Sequence, residues 1–184
     1  RKNDILQLSN GASLIVSSVF SDHAIIDFQL NAGKCLEGFL NNVGQMPIPP
    51  YILKKRKVDE NDDIDYQTVF AHSEGSVASP TASLHFDNSL LIKLEALGVK
   101  LSYVTLHVGG GTFLPIKTDN ISEHKMHSEY GVVSSETAEE INKTKRNGKR
   151  VIAVGTTSAR LLESASSDNH CLPFEGKTDI FIKP

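Results

Sequence analysis

Val104-Thr105-Leu106-His107-Val108-Gly109-Gly110-Gly111-Thr112-Phe113 reads as a buried strand running into a three-glycine turn. Leu101, Tyr103, Val104, Leu106 and Val108 supply the aromatic, β-branched and apolar content of a strand. Glycine tolerates positive φ and carries no Cβ, so the turn is either a tight bend alone or a place where a ligand meets bare backbone. A strand ending in such a turn is a common ligand site in α/β folds. A second strand-to-turn unit follows at Val151-Ile152-Ala153-Val154 and Gly155-Thr156-Thr157-Ser158, leading into a helix through Leu161, Leu162 and Ala165. The free N–H groups of a helix start favour an anion. The plainer reading is an N-cap by Thr156 or Thr157. The spacing GxxxxGK[ST] of a P-loop is absent.

Working outward, Asp87 can cap a helix over Asn88–Leu97 whose stripe is Leu90, Leu91, Leu94 and Leu97, with Gly98 ending it. Ser134 or Ser135 can cap a helix over Glu136–Arg146, acidic at its start and basic at its end. Asp179–Ile182 reads as a third strand. The alternation predicts an α/β domain in which Val99–Val108, Arg150–Val154 and Asp179–Ile182 share a mixed, largely parallel sheet with flanking helices. Residues 4–30 instead predict three antiparallel strands, with a turn signal at Asn10-Gly11 and a break at Ser21-Asp22, forming part of a small antiparallel β-barrel. Gly33–Asn42 changes to helical spacing through Leu36, Phe39, Leu40 and Val43, with Gly44 at the C-cap position. Asp65–Ala71 reads as a short helix. Pro47, Pro49 and Pro50 impose an extended path, either a linker or a substrate-facing wall that presents Tyr51. The expected division is a barrel portion over 1–44 and an incomplete α/β domain over 45–184.

With 39% hydrophobic residues and a net charge of −3, the chain of 184 residues has no global basic field. Any polyanion must meet a local patch, and Lys54-Lys55-Arg56-Lys57 and the Lys143–Arg150 cluster are the candidates. A solvated charged surface is the alternative, and the acidic run Asp59–Asp65 beside the first patch suits it. Cys35 and Cys171 lack motif spacing and are expected as thiols in a reducing, cytoplasmic compartment. No apolar run reaches the length of a membrane helix. His85, His107, His124 and His127 cluster in sequence and can act as acid, base or ligand. His124 and His127 alone have ligand-like spacing, without cysteines or an HExxH pattern, so no metal is expected. They read as polar surface histidines, and His107 as a core histidine.

These stretches, together with Gln45–Ile52, Tyr66–Ala71, Gly75–Phe86, His127–Tyr130 and Arg150–Ser158, resemble the S-adenosylmethionine:tRNA ribosyltransferase-isomerase family of queuosine biosynthesis, in order over residues 30–184. Ser83, Gly110, Gln45 and Ala159 stand where that family usually has glycine, alanine, histidine and valine. The family's N-terminal Asn-Asp-Thr and C-terminal Asn-Phe-His-Leu-Pro stretches are not in this chain, so a fragment without turnover of its own is expected. The resemblance implies transfer and isomerisation of the ribosyl group of S-adenosylmethionine onto 7-aminomethyl-7-deazaguanine at the tRNA wobble position. Epoxyqueuosine-tRNA, adenine and methionine are the products. It implies a cytoplasmic monomer whose partners are tRNA and S-adenosylmethionine, with no metal and no membrane. The expected donor-binding residues are Gly109, Gly110, Gly111, Thr112, Thr156, Thr157 and Ser158, and the expected proton carriers are His85 and His107. A noncatalytic RNA- or nucleotide-binding module and a histidine-dependent hydrolase are the alternatives.

Overall fold

The computed structural model describes residues 1–8, 12–20, 23–30, 35–114, 118 and 120–183. The predicted turn at Asn10-Gly11, the break at Ser21-Asp22 and the helix start at Gly33 lie outside the described residues. The chain divides into two compact units, Arg1–Gln45 and Met46–Pro184.

In the first unit, β1 (Ile5–Gln7), β2 (Ser13–Val19) and β3 (Ala24–Gln29) form an antiparallel meander in the order β1-β2-β3. The register shifts between Val16 and Ser18. β1 and β3 are both edges of this open sheet, so no closed barrel exists among the described residues. Three short strands are too few to close one. Helix α1 (Leu36–Val43) buries Phe39, whose ring meets Phe28 edge-on at 5.9 Å. Its cap is the Cys35 thiol, which accepts from Gly38 N–H. Gly44 ends the helix with φ −69 rather than a left-handed conformation. Glycine is needed there for room, because a Cβ would lie 2.5 Å from the Leu40 carbonyl oxygen.

The second unit begins with two short helices, α2 (Pro50–Leu53) and α3 (Asp62–Asp65). The helical turn expected at Asp65–Ala71 falls earlier because Asp62 is claimed by Arg56 and by the Asp59 N–H. Helix α4 (Asn88–Ala96) is capped by Asp87, which accepts from Leu90 N–H at 2.7 Å, and it ends at Gly98 with φ +80. The remaining elements are β4 (Thr105–His107), β5 (Glu129–Val133), α5 (Ser135–Arg146), α6 (Gly155–Ser164), β6 (Ser166–Ser167), β7 (His170–Cys171) and β8 (Phe174–Thr178). Ser134 caps α5 by accepting from Thr137 N–H.

The sheet of this unit has the order β4-β5-β8 and is antiparallel throughout, so the expected largely parallel sheet is corrected. The strand reading of Val99–Val108 contracts to Thr105–His107, and neither 150–154 nor 179–182 is a strand. Both edges of β4, the strand beside which they were expected, are occupied. β5 pairs with one edge of β4. On the other edge the Ser76 hydroxyl bonds Leu106 O and Val108 N–H, and Val77 N–H donates to Val108 O. Residues 150–154 join no ladder, and Ile152 is 74% exposed. β6 and β7 form a hairpin whose tip, Asp168-Asn169, has positive φ at both residues, as a type I′ turn requires.

Helix α6 closes the core over the sheet. Leu161 is fully buried and packs with Leu106, Val133, Ala138, Ala165 and Cys171. Across the helix–sheet interface lies Gly131 of β5, where a Cβ would fall 2.2 Å from Leu161 Cδ2. Because Leu161 is fully buried and the added Cβ would also meet Leu106 Cδ1 at 3.1 Å, Gly131→Ala is expected to destabilise the unit by about 1–3 kcal/mol. Urea unfolding of this variant measures it, and an unchanged midpoint would show that α6 does not rest on β5 in this way.

Candidate functional site

The site is built where α6 begins and the glycine turn ends. Gly155 starts the helix at φ +83, and a Cβ there would lie 3.2 Å from Ala82 Cβ. The N-cap is Val154, and no side chain caps the helix. Thr156 and Thr157 are thus first-turn residues rather than the caps expected, and the helix start keeps its unpaired N–H groups. Opposite, Gly110–Phe113 forms a single 3-10 turn. The His127 ring lies against Gly111, where a Cβ would come within 2.3 Å of it.

A buried ion pair ties these pieces together. Glu129, 6% exposed, accepts from Gly109 N–H at 3.2 Å through Oε1 and from Arg160 Nη1 through Oε2. Arg160 also donates to Thr178 O, and the Ser164 and Thr178 hydroxyls are 2.6 Å apart. One carboxylate therefore links β5, the glycine turn and α6. Arg160 Nε is buried without a partner among the described residues.

Two cavities share a wall made of Val108, Thr112, Thr156 and Thr157. The smaller, about 250 Å³, is also lined by Gly111, Met126, His124, His127, Glu129 and Arg160. The larger, about 480 Å³, is also lined by Pro49, Tyr51, Lys54, Tyr66, Ser79 and Phe113. Burial raises the Tyr66 phenol above its usual range. Of the sequence candidates, Gly111, Thr112, Thr156 and Thr157 come together here, whereas Gly109, Gly110 and Ser158 line neither cavity.

His85 and His107 also line neither. His85 is exposed at the end of the 3-10 turn Thr81–His85. His107 packs between Gly75 and Tyr130, whose hydroxyl donates to Glu175 Oε1 at 2.5 Å. The imidazoles that face a cavity are His124, edge-on to Phe181, and His127. Sequence reasoning passed over Glu129 and Arg160. The signal was available for Arg160, which follows Thr156 and Thr157 at i+4 and i+3 and so shares their helix face. No group of three His, Cys, Asp or Glu among the described residues is placed to hold a metal.

The basic patch divides. Arg56 donates to Asp62 at 2.8 Å and pairs with Asp59; hydrogen bonding to Arg56, then to the Asp59 N–H, holds the Asp62 carboxyl down at about 2. Lys54 is exposed and lines the larger cavity. In the second cluster, Lys145 Nζ donates to Asn169 O.

The second unit is thus an α/β domain whose capless helix start and glycine turn line two cavities over an internal ion pair. The family model described as "Queuosine biosynthesis protein" matches residues 2–184, and the chain belongs to that family. Among curated relatives, the S-adenosylmethionine:tRNA ribosyltransferase-isomerase of Roseobacter denitrificans is 54% identical over 167 residues, covering 91% of this chain and 47% of the relative. The proteins of the same name from Ruegeria pomeroyi and Zymomonas mobilis are 50% and 49% identical, each over 100% of this chain and 52% and 54% of the relative. The chain spans about half the length of these curated relatives.

Removing one partner of a buried pair strands the other charge. Arg160→Met is therefore expected to cost about 3–5 kcal/mol, and the double variant Glu129→Gln/Arg160→Met to recover most of the loss. Denaturant unfolding of the set reads this, and purely additive losses would show that the two side chains are not coupled.

Proposed function

We propose that this chain carries the donor site of an enzyme that transfers and isomerises the ribosyl group of S-adenosylmethionine onto 7-aminomethyl-7-deazaguanine at the tRNA wobble position, giving epoxyqueuosine-tRNA, adenine and methionine. The name shared by the relatives supports the reaction class. The observation that carries the site is the capless start of α6 facing Gly111-Thr112 across one cavity wall. The methionine carboxylate fits the helix start, where N–H groups and the Thr156 and Thr157 hydroxyls offer donors. The sulfonium and ammonium groups are compatible with the Glu129 side of the smaller cavity.

The sulfonium acidifies its neighbouring carbon, so a base must remove a proton there, and adenine leaves more readily when a donor meets it. His124 and His127 are suited to these proton transfers by position, since both line the smaller cavity. They take that role here in place of His85 and His107. The amine of the acceptor is the nucleophile, so no cysteine or serine nucleophile is required of the protein.

Lys54, Lys55, Lys57 and the Lys143–Arg150 cluster are the phosphate-contacting candidates, with Arg56 withdrawn into its pairs with Asp59 and Asp62. Action as a monomer in the cytoplasm is part of the same reading. No described helix is long and apolar enough to cross a membrane. Thr157→Ala is expected to weaken S-adenosylmethionine about tenfold to hundredfold, the loss of one charge-assisted hydrogen bond. Calorimetric titration measures it, and wild-type affinity in the variant would move the donor elsewhere.

A further inference from the structure

We infer that residues 150–154 are a docking edge for a β-strand of polypeptide outside this chain, supplied in the curated relatives by the part of their length that this chain does not match. Such an edge does not depend on where S-adenosylmethionine binds. Val151-Ile152-Ala153-Val154 has the composition of a buried strand, and Val154 has strand dihedrals, φ −93 and ψ 108. Yet no backbone N–H or carbonyl of Val151, Ile152 or Ala153 bonds to a described residue. Main-chain groups in that state are the template for strand addition. The side chains are equally without cover: Val151 is 39% and Ile152 74% exposed. A solvated loop is the alternative, but 151–154 has none of the Gly, Pro or polar residues that mark one.

Helix α4 of the same unit carries the same signature. None of its residues is buried, and Ile92 within it and Leu97 at its end are 66% and 80% exposed. A helix this short gains most of its stability by packing an apolar face. The chain after α4 is nonetheless braced. Lys100 Nζ donates to Glu140 at 2.7 Å, and Tyr103 O accepts from Thr137 Oγ1 at 3.1 Å, both partners lying on α5. α5 then leads through Gly148, at φ +65, into 150–154. The occupant follows from length. The chain spans about half of each curated relative, and the rest of those proteins is polypeptide with no counterpart here. A second copy is less suited, because a ladder of 150–154 with itself offers no acidic side chain to Arg150.

The test compares the chain alone with a chimera in which it replaces its matching stretch in the Ruegeria pomeroyi protein, both without S-adenosylmethionine. Amide exchange at Val151, Ile152 and Ala153 is expected near the free-peptide rate in the chain alone and roughly a hundredfold or more slower in the chimera. Ile152→Asp should leave the thermal midpoint of the chain alone unchanged, because the side chain is exposed there. In the chimera it should lower the midpoint by roughly 5 °C or more, because it would bury an unpaired charge. Fast exchange at 151–153 in a folded chimera overturns the inference, and so does an equal effect of Ile152→Asp in both proteins. If the chimera does not fold, exchange in the intact Ruegeria pomeroyi protein over the segment aligned with 150–154 decides, slow exchange supporting the docking edge and fast exchange overturning it. Sedimentation of the chain alone as a dimer that Ile152→Asp dissociates also overturns it, because the occupant would then be a second copy.

Discussion

The Glu129–Arg160 pair is the constraint on which the second unit depends. Both side chains are mostly buried, so each charge would be costly alone. Together with the bonds to Gly109 N–H and Thr178 O, the pair fixes the turn after β4 and the first turns of α6 relative to β5 and β8. The pair is also part of a cavity wall, so the same interaction that holds the fold sets the charge of the site.

Packing around the pair follows from side-chain size. Leu161 reaches the sheet only because Gly131 offers no Cβ, and His127 reaches the turn only because Gly111 offers none. Gly155 permits α6 to start close to Ala82. Three absent side chains therefore let a helix, a turn and a ring approach closely, and of these contacts the one between His127 and Gly111 borders the smaller cavity. The absence of a side-chain cap on α6 leaves its first N–H groups for a ligand, at some expense of helix stability.

Much of the local structure was legible in the sequence. Asp87 and Ser134 announced their helices by capping chemistry, and residues 4–30 announced antiparallel strands by alternation and turns. Sheet topology was not. Glu129-Tyr130-Gly131-Val132-Val133 begins with polar residues and follows a histidine-rich run, so its strand character was masked, and without β5 the alternation looked parallel. Residues 150–154 have strand composition, yet pairing depends on tertiary placement, which composition does not encode. That the glycine turn and the Thr156-Thr157 helix start stand near one another was legible in their two strand-to-turn patterns, and Thr112, Thr156 and Thr157 do share a cavity wall. Which histidine stands at a cavity was not, because His107 lies against Gly75 and Tyr130 and His127 against Gly111, and those contacts depend on tertiary packing.

The central claim is that S-adenosylmethionine sits between the glycine turn and the start of α6. Amide hydrogen exchange of this chain with and without S-adenosylmethionine tests it most directly. Slowed exchange is expected at Gly111, Thr112, Thr156 and Thr157, with the unit Arg1–Gln45 unchanged. Slowing confined to Arg1–Gln45, or found nowhere in the turn and the helix start, would contradict it.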